Sequence, residues 1–95
     1  MNQTILTATI AQTQALRYTP AGVPALELTL EHASEVQEAA QRRSVKAVVR
    51  AVALGALAES IGRQPIGSIW RFTGFLASPR NAKFVVLHIQ DFKPL

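Results

Sequence analysis

The chain predicts an all-β fold, a five-stranded Greek-key barrel with a short helical or irregular segment between the third and fourth strands. Three observations lead there. Apolar and polar residues alternate through Thr4-Ile5-Leu6-Thr7-Ala8-Thr9-Ile10 and, more regularly, through Ala25-Leu26-Glu27-Leu28-Thr29-Leu30-Glu31-His32. That period of two sends successive side chains to opposite faces of a strand. Clusters of Pro, Gly, Ser and Asn punctuate the segments, supplying the backbone geometry of turns. Finally, 95 residues, 48% hydrophobic and 17% charged, suffice for one packed core, so a single domain over residues 1–95 is expected.

The first strand is expected from Gln3 to Tyr18, long and bent. Thr19-Pro20-Ala21-Gly22-Val23-Pro24 follows as a turn, because two prolines fix φ and Gly22 permits a positive φ. The second strand is Ala25 to His32, with leucines on one face and Glu27, Thr29 and Glu31 on the other. Ala33 to Gln41 is polar and acidic and reads as a hairpin tip or loose turn. The third strand, Arg43 to Leu54, carries Val45, Val48, Val49 and Val52; its alanines suit a helix, but its β-branched residues favour a returning strand. Gly55 to Gln64 reads as a short helix or loop, and Pro65-Ile66-Gly67-Ser68 punctuates the chain again. The fourth strand runs from Ile69 to Leu76, Ser78-Pro79-Arg80-Asn81 makes a tight polar turn, and the fifth runs from Lys83 to Phe92. Five antiparallel strands in a chain this short fit the OB-fold, whereas a sandwich asks for more strands.

Composition excludes several kinds of chemistry. With no cysteine there are no disulfides and no thiolate metal sites. His32 and His88 show no ligand spacing, so neither a metal nor a cofactor is expected. No Ser or Cys nucleophile constellation and no carboxylate dyad is present, so an enzyme is not expected. The opening MNQTILTATI has neither a basic region nor a long apolar stretch, and no run approaches the roughly 18 apolar residues of a membrane helix. The expectation is a soluble, cytoplasmic protein without a membrane partner.

Charge points toward a polyanion. The net charge is +4, with bases clustered at Arg42, Arg43, Lys46 and Arg50 and again at Arg80 and Lys83. Arg42, Arg43 and Lys46 are the leading candidates for phosphate contacts; on a strand, Arg43 and Lys46 would face opposite sides. Arg80 and Lys83 flank the last turn, and Arg17 and Tyr18 open the loop between strands one and two; these are the two loops OB-folds use for nucleic acid. Tyr18 is a candidate either to stack on a base or to close the barrel end. Trp70 and Phe72 share one face of the fourth strand and read as core, as do Phe75, Phe84 and Phe92, with a dimer edge as the alternative. Arg71, on the other face, is a candidate to join the basic surface or to pair with a glutamate of the second strand.

Several stretches carry a family likeness. Tyr18-Thr19-Pro20-Ala21-Gly22-Val23-Pro24 followed by Leu28-Thr29-Leu30-Glu31-His32, then Ile66-Gly67-Ser68 leading to Thr73-Gly74-Phe75-Leu76, and finally Val86-Leu87-His88-Ile89 fall in register along nearly the whole chain. In these the sequence resembles the bacterial primosomal replication protein N family, relatives of single-stranded DNA-binding protein. The resemblance implies a homodimer of OB-folds that binds single-stranded DNA in replication restart, contacts the restart helicase and helps recruit a helicase-loading partner. Two departures stand out. Ala8 sits where the family often has glycine, and no Phe, Tyr or Trp occurs between Ala21 and Ile69, where family members can carry base-stacking aromatics. Stacking contributes about 1–3 kcal/mol per base, so binding should weaken or shift toward phosphates.

Two functions therefore compete. The first is a single-stranded DNA-binding adaptor that bridges DNA and the restart helicase. The second is a dimeric protein-interaction module with weak or no DNA binding, favoured by the missing aromatics and the mid-chain glutamates. A cold-shock-type RNA binder would need surface aromatics on two short strands, which this chain lacks.

Overall fold

A computed structural model describes all residues, 1–95. Its elements are β1 (Thr4–Thr13), β2 (Arg17–Tyr18), β3 (Pro24–Glu38), β4 (Gln41–Leu54), α1 (Ala56–Gly62), β5 (Ile69–Ala77) and β6 (Val86–Lys93). The order β1-β5-β6-β4-β3 closes on itself through a β1–β3 pairing, and β2 is a two-residue stub on the edge of β3. Neighbours run antiparallel except β4 and β6, which meet in parallel at Ala51↔Leu87 and Val52↔His88. This is the five-stranded barrel of an OB-fold, with its short helix between the third and fourth barrel strands.

The core follows from the alternation. Leu26, Leu28 and Leu30 of β3 point inward, and Ala53 and Ala51 of β4 stand directly opposite the first two. Large residues facing small ones let a narrow barrel fill without voids. Ile10, Phe72, Leu87 and Ile89 complete the interior, and α1 adds Ala58 and Ile61. Trp70 packs edge-on against Phe92 at 4.9 Å and donates its indole N–H to Ser68 Oγ at 2.9 Å, which fits the core reading of this face. His32 ties β3 to β1: its Nδ1 lies 2.6 Å from the Thr7 carbonyl oxygen and its Nε2 2.8 Å from Ser34 Oγ. A carbonyl only accepts, so in the neutral ring Nδ1 carries the hydrogen and Nε2 accepts from the serine.

Three expectations need correction. The first strand does not run unbroken to Tyr18: β1 shifts register between Ile10 and Gln12 and ends at Thr13. The Gln14 amide then donates to the Glu27 carbonyl before the chain leaves the sheet and returns as β2. At the C-terminal end, Lys83, Phe84 and Val85 lie outside β6, so the turn after β5 is an eight-residue loop, 78–85, rather than a tight one.

The largest correction is at residues 33–41: the hairpin tip lies there as expected, but it is far shorter than the segment, and no loose turn is present. β3 and β4 stay paired to Glu38↔Gln41, and the turn is only Ala39-Ala40, with φ of 50° and 62°. The result is a two-stranded arm projecting beyond the barrel, since β1 pairs with β3 only as far as Glu31. Ion pairs Glu35–Arg42 (2.9 Å) and Glu38–Arg43 (2.7 Å) run diagonally across it. Two positive φ values are what a type I′ hairpin turn requires, and Asn-Gly meets that need far better than alanines. Replacing Ala39-Ala40 with Asn-Gly should stabilise the arm by about 1 kcal/mol, slowing hydrogen exchange of its amides about fivefold. Unchanged exchange would show that the turn is not what limits the arm.

Candidate nucleic-acid interface

A depression of about 580 Å³ opens on one side of the barrel between the end of β1, the outer face of β3–β4 and the loop 78–85. Gln12, Glu27, Thr29, Arg50, Phe84 and His88 are among the residues lining it. Arg50 reaches it because even-numbered residues of β4 point away from the core. Phe84 reaches it from the loop, 45% exposed, and the Arg50 guanidinium carbon sits 4.6 Å from its ring centroid. Such a cation–π contact holds both planar groups in place at the edge of the groove. Along β6, His88 stacks on Phe75 with centroids 4.9 Å apart and planes 11° from parallel.

The candidates named from the sequence fall in several places. Arg42 and Lys46 share the outward face with Arg50, while Arg43 is on the opposite face, as the alternation requires. Arg17 donates to Glu27 at 2.8 Å, so a guanidinium stands over a carboxylate of the groove wall. Tyr18 is 65% exposed and does not close the barrel end. Arg80 and Lys83 adjoin Pro79 and Phe84, which line the groove, and neither is in an ion pair. Arg71 lies level with Thr7 on β1 and Lys93 on β6; it is away from the groove and pairs with no glutamate.

Sequence reasoning counted Arg50 in the basic cluster without making it a contact candidate, and read Phe84 as core or dimer edge. Their pairing is not visible in the sequence, because 34 positions separate them and only the folded barrel brings them together. The one available signal was that Phe84 precedes the apolar run of the last strand next to Lys83, a basic–aromatic neighbourhood.

The barrel with its β1–β3 closure and the short helix between its third and fourth strands define a class, the OB-folds. Residues 2–91 match the sequence model described as "another single-strand binding protein family". Replication restart protein PriB of Bordetella pertussis is 46% identical over 92 residues, covering 96% of this chain and 86% of that protein. PriB of Ralstonia solanacearum superposes with a TM-score of 0.90 at 33% identity, covering 99% of this chain and 97% of that one. The wild-type single-stranded DNA binding protein of Thermus aquaticus gives 0.78 at 28% identity, with this chain spanning half of that one. The chain belongs to the replication restart protein PriB family, within the single-strand binding OB-folds.

Proposed function

We propose that this chain binds single-stranded DNA in replication restart and bridges it to the restart helicase and a helicase-loading partner, working as a homodimer in the cytoplasm. The observation that carries the DNA-binding part is the Arg50–Phe84 pair at the groove. It restores a stacking surface that the β3–β4 arm lacks, and it supplies a base in the same place. Lys46 extends the basic side along β4, and Arg80 and Lys83 extend it on the loop. The relatives' names support the restart role.

Anisotropy of a labelled oligo-dT across a salt series, with a duplex control, tests this reading. Four unpaired bases (Lys46, Arg50, Arg80 and Lys83) predict a log–log slope near −3, at about −0.7 per phosphate neutralised. Binding should favour the single strand. No binding even at low salt would overturn the DNA reading and favour the protein-interaction module. That second reading has its own support in Arg17, Arg42 and Arg43, which are already held by carboxylates.

A further inference from the structure

Acids and bases stand in two facing columns on the outward face of β3 and β4. β3 presents Glu27, Glu31 and Glu35, and β4 presents Arg42, Lys46 and Arg50, each set repeating every four residues. The register, Glu27↔Val52, Glu31↔Val48 and Glu35↔Ser44, staggers the columns by two positions. Arg50 therefore lies diagonal to Glu27 and Glu31, Lys46 to Glu31 and Glu35, and Arg42 to Glu35. Diagonal neighbours on one face are about 7–8 Å apart, within reach of long side chains. Two of the carboxylates are engaged, Glu35 with Arg42 at 2.9 Å and Glu27 with Arg17 at 2.8 Å, and all four side chains are exposed. The face that a count of bases marks as positive is thus largely compensated by its own acids.

We propose that Glu27, Glu31 and Glu35 compete with DNA phosphates for this face, occupying Arg17 and Arg42 and repelling the backbone. The proposal rests on the single-stranded DNA reading above and adds a specificity determinant to it. Carboxylate and phosphate make the same demand on a guanidinium, two oxygens aligned with its N–H fork. Exposed ion pairs are weak, so a phosphate can replace the carboxylate, but each replacement leaves an anion beside another anion. Binding by charge alone is thereby suppressed. A strand that also stacks a base on Phe84 keeps an advantage that the glutamates do not cancel.

The test is oligo-dT anisotropy on the full chain, comparing wild type with the Glu27→Gln/Glu35→Gln double variant. The double variant should bind about tenfold tighter at roughly 0.1 M salt. Its log–log slope should steepen by about 1.4, the share of two further phosphates at about 0.7 each. Glu59→Gln removes an exposed charge from α1, outside this face, and should not match that gain. If the double variant melts early, Glu27→Gln alone carries the test, with a steepening of about 0.7. Wild-type binding with unchanged affinity and slope in the variants would overturn the competitor role and leave the DNA reading standing. An equal gain in Glu59→Gln would overturn it as a mere net-charge effect. No binding by any of these chains would overturn both readings.

Discussion

Gly74→Ala is expected to destabilise the fold by about 3 kcal/mol, lowering the melting temperature of a chain this size by roughly 10 °C or more. At this position β5 shifts register between Thr73 and Gly74 to meet β6. A Cβ on Gly74 would fall on the His88 carbonyl oxygen, and its next neighbours would be the His88 carbonyl carbon at 2.9 Å and the Ile89 Cα at 3.1 Å. All three are backbone atoms, so no side chain can rotate away and β6 itself must move. Ile89 is core and His88 lines the groove, so the same shift should loosen both. Gly62→Ala is the matched control. Its Cβ would meet Leu26 Cδ2 at an ordinary 3.9 Å, and alanine suits a helix better than glycine. A thermal melt in which the two variants behave alike would contradict this account of the β5–β6 crossing.

Phe84→Ala should weaken oligo-dT binding by about tenfold, and Arg50→Ala by a similar or larger factor, without a large change in melting temperature. The loss of one stacked base is worth about 1–3 kcal/mol, and Arg50 contributes both a charge and the planar partner that holds the ring. The two effects separate in Arg50→Lys. Lysine keeps the charge, so the salt slope should stay near that of wild type, while affinity falls severalfold because an ammonium lacks the planar fork. Tyr18→Ala, on an exposed ring outside the set lining the groove, should cost less than Phe84→Ala. Equal losses for Tyr18 and Phe84 would show that binding is not centred on the groove.

The parts of this fold that were legible are those with a local cause. Leucines at every second position from Leu26 to Leu30, Gly22 between two prolines, and the short run before Pro65 each determine their conformation within a few residues. Gly22 does sit at φ 82°, with the Val23 amide bonded to Thr19 Oγ1. The arm was not legible because cross-strand partners hold it. Ser34 to Glu38 has few apolar side chains to show alternation, and its strand character comes from pairing with Gln41 to Val45 and from Glu–Arg diagonals. Ala39-Ala40 carries no turn signal at all. The candidate surface fared the same way: a count of bases found Arg42, Lys46 and Arg50 but not the glutamates that the register sets beside them. The Arg50–Phe84 contact forms because β4 and β6 pair in parallel, which sets the start of β6 and the loop before it beside Arg50.

The most direct test of the central claim, that a single strand lies in the groove at Arg50 and Phe84, is amide chemical-shift mapping of the labelled chain titrated with a short oligo-dT. The largest shifts should fall on Arg50, on Gln12 and Gln14, and on residues 80–86, with the arm tip at 37–42 changing less. Shifts confined to the arm tip, or none on adding single strand, would contradict it.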